Sequence, residues 1–92
     1  MTPLHCASYN GHTNVVELLV SIGCDVNARD EREKTPIHYA VENGNMKVVE
    51  FLISHSSNIN LRDNENKTPL YYSIENNHYG IIELLKQNGA QI

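Results

Sequence analysis

The chain repeats itself every 33 residues, and this period restricts its fold more than any other feature. Thirty-three residues separate Pro3 from Pro36 and Pro36 from Pro69, and each proline follows a threonine. The pattern Val-Val-Glu-Leu-Leu at residues 15–19 recurs with similar residues at 48–52 and 81–85. A period of this length predicts a stack of similar units, each of which buries its apolar face on its neighbours. We expect one array over residues 1–92, with repeats at about 1–34, 35–67 and 68–92.

Composition argues against several classes of function. The chain carries 7 basic and 11 acidic residues, so it lacks the excess positive charge with which proteins neutralise nucleic-acid phosphates, and we expect no nucleic-acid partner. Charges such as Glu17 and Glu50 interrupt its apolar runs, so we expect no membrane segment. The two cysteines, Cys6 and Cys24, are too few for a disulfide framework. This favours an intracellular location, in the cytoplasm or the nucleus.

Each repeat contains signals for two short helices. In the middle repeat, Thr35 suits the cap of a helix and Pro36 its first position. This helix is predicted to end near Asn43, because Gly44 follows, and the second helix to begin near Asn45. Apolar residues at helical spacing predict a buried stripe along the second helix, formed in the first repeat by Val15, Leu18, Leu19 and Ile22.

A polar segment follows the second helix and predicts a hairpin-like finger. Residues 25–28 and 58–61 alternate in polarity and are expected to run extended towards charged tips at residues 29–34 and 62–67. Gly23 and Gly89 are expected to end the second helix in the outer repeats. Ser56 takes that position in the middle repeat and predicts a more strained or differently shaped turn.

These motifs resemble the ankyrin repeat over essentially the whole chain. The resemblance lies in Thr-Pro-Leu-His-x-Ala at residues 2–7, in the 33-residue period, and in Asp-Val-Asn-Ala at residues 25–28. It implies an all-α solenoid of stacked helix-turn-helix units with β-turn fingers, in which the fingers and first helices line a concave face. It also implies that His5 and His38 hold the turn by hydrogen bonding near the preceding threonine, instead of binding a metal.

Several positions depart from the pattern of that family. A glycine at the finger tip is replaced by Glu33 and Asn66; asparagine tolerates a left-handed turn, but glutamate does not favour it, so the sequence leaves the first tip undetermined. In the third repeat, Tyr71 replaces the histidine and Asn77 the glycine between the helices. Lys86 replaces an apolar residue there, as in a polar terminal cap. We interpret the third repeat as a degenerate C-terminal cap, with a fragment of a longer array as the alternative.

The sequence shows no arrangement typical of an enzyme. No nucleophile lies beside a base in a recognisable motif, and the chain has no glycine-rich phosphate loop. Cys6, Cys24 and His12 fall in one repeat but lack the spacing of zinc ligands. We therefore predict no catalytic residue, no metal and no cofactor. The glutamates that recur in phase are expected on the solvated side of the second helix: Glu17, Glu50 and Glu83.

The best functional candidates lie where the ankyrin pattern leaves residues free of structural duty. We predict that they bind a partner protein, and that the array is a monomer; mixed charges suit the orientation of such a partner. On the fingers they are Arg29, Glu31, Arg32, Lys34, Arg62, Asn64, Glu65 and Lys67; on the first helices they are Tyr9, Asn10, Glu42, Asn43, Glu75 and Asn76. Tyr39 and Tyr72 share the phase of Cys6, which is usually apolar and inward, and are expected in the core.

Two other functions stay open. In the first, the array is a structural spacer or targeting fragment of a larger multidomain protein, because no finger precedes the first Thr-Pro motif. In the other it is a substrate, because residues 19–27 resemble ankyrin segments in which an oxygen-dependent dioxygenase hydroxylates the asparagine, here Asn27. Asn60 matches less well, because Asn58 replaces the acidic residue before it.

Overall fold

Three consecutive pairs of short helices form the molecule. The computed structural model describes residues 1–55 and 57–91, and within them it contains helices but no β-strand. First helices contact one another in chain order, and so do second helices, so each repeat is one layer of a stack. The predicted all-α architecture is confirmed. The helices are α1 (Pro3–Tyr9), α2 (Thr13–Ser21), α3 (Pro36–Glu42), α4 (Met46–Ser54), α5 (Pro69–Glu75) and α6 (Tyr79–Gln87).

The Thr-Pro dipeptide starts each first helix as predicted. Thr2 has an extended backbone, and its side-chain oxygen accepts the backbone N–H of His5 at 3.3 Å. Proline follows in the first turn, where its missing N–H costs nothing because that donor has no partner inside the helix. Gly11 and Gly44, with φ of 71° each, end α1 and α3 by entering the left-handed region, as their positions predict.

The segment before each finger tip turns instead of running extended. The backbone N–H of Asn27 donates to the Asp25 carboxylate at 2.9 Å, and that of Ala28 to the Asp25 carbonyl at 3.3 Å. Asn60 bonds the side chain of Asn58 in the same way, at 3.1 Å. The extended prediction is therefore wrong here, because short Asp and Asn side chains offer the backbone a local acceptor that alternating polarity does not reveal.

The two finger tips have the same geometry. In the first, Asp30 and Lys34 pair through a backbone hydrogen bond of 3.0 Å, and Glu33 has a φ of 60°. In the second, Asp63 and Lys67 pair at 2.9 Å, and Asn66, which takes the phase of Glu33, has a φ of 65°. Glu33 adopts a left-handed backbone conformation, which is energetically unfavourable for a residue with a side chain. The hydrogen bonds that close the tip hold it in this conformation. The predicted strain at Ser56 lies outside the described residues.

The buried stripe of the second helix differs between repeats. Val48 in α4 is 1% exposed, as its spacing predicts, but its counterpart Val15 in α2 is 45% exposed. Leu18 and Ile22 are also exposed, at 59% and 68%, so their predicted burial is wrong. Val16, on the side of α2 towards the second repeat, is fully buried. Helical spacing finds the apolar face, but only a stacked neighbour buries it.

Candidate functional site

One aspartate at the base of each finger fixes the tip. Oδ1 of Asp30 accepts the backbone N–H groups of Arg32 and Lys34, both at 2.9 Å, and Oδ2 accepts the hydroxyl of Tyr39. Asp63 repeats this arrangement one period later, with Glu65, Lys67 and Tyr72 as the donors. The sequence showed only that the aspartate recurs. Because the carboxylate holds both the tip and the first helix, the finger is preorganised.

The electrostatics of these clusters follow from the hydrogen bonds. Partial burial by itself would raise the pKa of Asp30, but the bonds from Tyr39 and from backbone N–H groups outweigh it and lower the pKa below 3.8. The pKa of Asp63 is lowered for the same reasons. Burial, and then the bond to the aspartate, raises the pKa of Tyr39 and of Tyr72. Both rings are buried, which confirms their predicted place in the core.

Two histidines join the first helix of a repeat to the last residue of the finger that follows it. Nδ1 of His38 accepts the backbone N–H of Thr35 at 3.0 Å, so Nε2 carries the proton and donates to the carbonyl of Lys67 at 3.2 Å. His5 makes the same bonds with Thr2 and Lys34. The predicted structural role is confirmed, and a bond to the residue directly before the next first helix adds to it. Burial lowers the pKa of His38, which keeps the ring neutral.

Lys34 is buried and serves the junction between repeats. Only 6% of it is exposed. Its ammonium lies 2.9 Å from a carboxylate oxygen of Glu42 and 5.1 and 4.9 Å from the ring centres of Tyr39 and Tyr72. Tyr39 belongs to the second repeat and Tyr72 to the third, so the lysine links these two layers by cation–π contact. This corrects the prediction that Lys34 is free for a partner, because its charge is already used within the stack.

Most of the other predicted binding residues are exposed. Lys67 and Glu42 are half-buried. Asn43 lies at the surface, but its side-chain amide donates to the carbonyl of Tyr9 in the preceding repeat at 2.8 Å, so it also has a structural duty. Asn10 and Asn76 likewise bond the carbonyl four residues before them. The exposed residues are Arg29, Glu31, Arg32, Arg62, Asn64, Glu65, Tyr9, Asn10, Asn43, Glu75 and Asn76.

The structure brings these residues together in two places. Arg32, Asn64 and Glu65, from adjacent finger tips, line a shallow depression of about 230 Å³. The two tips are joined there by a hydrogen bond from the backbone N–H of Asn64 to the carbonyl of Arg32, at 2.9 Å. Arg62 and Glu75 instead line a larger groove of about 510 Å³ on the third repeat, which the sequence did not indicate. Tyr9 and Asn10 belong to neither place.

The histidine, cysteine and acidic side chains of the described residues are spread over the stack. In residues 1–55 and 57–91, no group of three or more histidine, cysteine or acidic side chains is arranged to hold a metal ion. Cys6 and Cys24 are free thiols. The glutamates of the second helices are exposed, as predicted. No helix in the described part of the chain has the length and apolarity needed to cross a bilayer.

Asn27, the predicted hydroxylation site, takes part in the stack. It is half-buried, and its side-chain oxygen accepts the backbone N–H of Asn58 at 2.6 Å. Asn60 makes the corresponding bond to Gln91 at 2.9 Å. Both asparagines therefore tie the start of one finger to the next layer, and hydroxylation of Asn27 stays a prediction.

The fold, the repeated clusters and the family comparison define the class of protein. The model of ankyrin repeats, in three copies, matches residues 4–92, and the chain belongs to this family. Ankyrin repeats are generally protein–protein interaction modules and are typically not catalytic.

One relative is a much larger protein that matches part of this chain. Over 35 residues, which are 38% of this chain, the sequence is 49% identical to the transient receptor potential cation channel subfamily A member 1 of Drosophila melanogaster. The matched segment is 3% of the length of that channel. The likeness therefore concerns the repeat unit and a small part of the channel.

Proposed function

We propose that this chain binds a partner protein through its finger tips and the exposed residues of its first helices. The observation that carries the proposal is the depression formed by Arg32, Asn64 and Glu65. These side chains are exposed, yet the backbone that carries them is held by hydrogen bonds that the N–H groups of Arg32 and Glu65 donate to Asp30 and Asp63. A rigid backbone lowers the entropy that binding costs, so exposed polar groups on it make better contacts than those on a mobile loop.

The charge of this surface suits selective recognition. Arg32 is basic and Glu65 acidic, and both line one depression. Such mixed charges orient a partner and penalise a wrong one through like-charge contact. Lys34 is not part of the proposed surface. Asn10, Asn43 and Asn76 contribute less to partner binding than the other residues, because their amides already bond backbone carbonyls.

Site-specific photo-crosslinking tests this proposal. A photoreactive amino acid replaces Arg32 in one variant and Asn64 in another, and Lys47, exposed on α4, in the control. We expect both finger variants to capture the same protein from an extract of the source cells, and the control not to capture it. Binding of that protein should then weaken at least about tenfold with Arg32→Glu and stay unchanged with Lys47→Glu. Equal capture at all three positions would refute the proposal.

A second candidate is a spacer or targeting segment within a larger multidomain protein. The match to a short part of a long channel chain favours it. An antibody raised against the array distinguishes the two on a denaturing gel of source-cell extract. A band near 10.4 kDa supports a separate binding protein, whereas only much larger bands support the spacer. Cell fractionation with the same antibody tests the proposed cytoplasmic or nuclear location.

A further inference from the structure

The third repeat carries an open groove, here called the end groove. Leu70, Tyr71 and Ile74 form its apolar part, and Arg62 and Glu75 stand at its rim. Leu70 is buried, but Tyr71 and Ile74 are 44% and 45% exposed. The volume of the groove, about 510 Å³, lies within the range of small ligand pockets.

The corresponding face of the second repeat shows what such a face contacts. Val41 occupies the phase of Ile74 and is fully buried. The finger edge beside it takes part in two hydrogen bonds with the next layer. Nη2 of Arg29 donates to the carbonyl of Arg62 at 3.2 Å, and the carbonyl of Arg32 accepts the N–H of Asn64 at 2.9 Å. The next layer therefore contributes one carbonyl, one backbone N–H and an apolar contact to this junction.

The same groups recur, open, at the end groove. Arg62 takes the phase of Arg29; its Nη1 donates to the carbonyl of Asn66 at 3.1 Å. Within residues 1–55 and 57–91, no hydrogen bond involves its Nη2 or the carbonyl of Glu65, which takes the phase of Arg32. The edge of the second finger thus continues the established junction with a donor and an acceptor available to a backbone.

The third repeat differs from the internal repeats where each of them receives a side chain of the next layer. A Cβ on Gly11 would lie 2.9 Å from the side-chain oxygen of Asn45, and one on Gly44 would lie 2.8 Å from the ring of His78, so a side chain at either position would displace a side chain of the next layer. The third repeat has Asn77 instead, with a full side chain at a φ of 59°.

The third repeat also lacks the histidine bond of the internal junctions. Tyr71 replaces the histidine whose Nε2 bonds the next layer, and its hydroxyl instead donates to Glu75 at 3.4 Å. Both departures act against helix-turn-helix stacking, but neither closes the finger edge or the apolar groove. The face is therefore better suited to a single strand of chain than to a further layer.

We propose that the end groove binds an extended segment of a partner protein. One carbonyl of the segment accepts from Arg62, one backbone N–H donates to the carbonyl of Glu65, and a bulky aliphatic or aromatic side chain lies against Tyr71 and Ile74. Backbone bonds supply the docking and the groove supplies selectivity, as in other cases of strand addition. This inference deepens the proposed function by naming the form of the partner, and it rests on that function.

Selection from a phage-displayed library of random peptides tests the inference. The peptides have about 12 residues, which reach about 40 Å when extended. The selected peptides should share one bulky apolar residue and should bind the unmodified chain. Fluorescence polarisation should show at least about tenfold weaker binding to Ile74→Asp, and a smaller loss with Arg62→Met. Leu18→Asp, at an apolar residue of the first repeat that is 59% exposed, should bind as the unmodified chain does.

Three results would overturn the inference. They are the absence of any selected peptide, peptides whose binding survives Ile74→Asp, and equal loss with Leu18→Asp. Circular dichroism of both variants controls for folding, since the two substituted side chains are exposed. The crosslinking experiment separates this inference from the proposed function. If a partner captured at Arg32 binds equally well to Ile74→Asp, the finger surface stands and the end groove does not.

Discussion

Val41 and Ile74 occupy the same position in successive repeats but have opposite surroundings. Val41 is fully buried beneath the third repeat, whereas Ile74 is 45% exposed. Val48 and Val15 show the same contrast at the other end of the stack, at 1% and 45%. Both members of each pair are apolar and lie on helices of equal length. In a stack, burial depends on the neighbouring layer as much as on the pattern of the residue's own helix.

The largest effect we expect comes from an aspartate at these paired positions. Val41→Asp places a carboxylate without a partner in the core, at a cost of about 4 kcal/mol or more, enough to unfold much of a small domain. Ile74→Asp should change the free energy of unfolding by less than about 1 kcal/mol, because the side chain already contacts water.

Urea denaturation followed by circular dichroism measures both variants. Equal destabilisation by Val41→Asp and Ile74→Asp would contradict the contrast, since it would mean that the third repeat is covered in solution. A self-associating chain would have that property, and sedimentation at several concentrations would detect it.

A smaller difference is expected between two lysines in the same phase. The ammonium of Lys34 lies over the rings of Tyr39 and Tyr72, and that of Lys67 lies over Tyr71 and Tyr72, but the Lys34 side chain is 8% exposed and the Lys67 side chain is 28% exposed. Lys34 pairs with Glu42 at 2.9 Å, whereas Lys67 lies 3.8 Å from Glu65. Lys34→Ala should cost about 1–2 kcal/mol, because its cation–π contacts and its ion pair are largely desolvated. Lys67→Ala should cost less than about 1 kcal/mol. Urea midpoints compare the two, and similar losses would show that the next layer adds little at Lys34.

The pH dependence of stability should report the junction histidine. The folded-state pKa of His38 is lowered from the usual 6.5, so its protonation favours the unfolded chain. Its contribution is complete above about pH 6.5 and is lost as the pH falls through the lowered value. We expect the urea midpoint to decline between pH 7.5 and pH 5, roughly the range over which histidine titrates. His38→Gln should flatten this decline; an unchanged slope would assign it to other groups.

The smallest expected effect is at the finger tips. Glu33→Gly should stabilise the chain by up to about 1 kcal/mol, because glycine adopts the φ of 60° without the steric cost that glutamate bears. Asn66→Gly should change stability by only a few tenths of that amount, roughly 0.3 kcal/mol, since asparagine tolerates the left-handed region. Thermal midpoints of the two variants check this, and a loss of stability in Glu33→Gly would show that its 3.4 Å pair with Arg29 matters more than the backbone.

Local chemistry explains why the layers were predictable from sequence. Thr35, Pro36 and Gly44 each act within one or two turns of helix, so their identities predicted helix boundaries that the structure confirms to within about a residue. The buried tyrosines were also predictable, because their phase repeats.

Contacts between layers were not predictable in the same way. The burial of Lys34 depends on Tyr72, which lies one repeat further along the chain. The end groove is open because no part of the described structure covers Ile74, and a local sequence pattern does not show whether a residue will be covered. The turn at Asp25 was missed for another reason, since side-chain hydrogen bonding competes with the alternation that predicts an extended segment.

The spacing of the hydrogen bonds between layers has a consequence for how the chain folds. The bond from His5 to Lys34 joins residues 29 apart, and the bond from Asn45 to Ser8 joins residues 37 apart. Each layer thus meets its neighbour after closing a loop of about one period. In an array whose layers meet at this separation, a nucleus formed by any two adjacent layers can grow towards either end. A duplication or loss of one whole period in the gene would leave the remaining junctions intact, so such an array can change length without being redesigned.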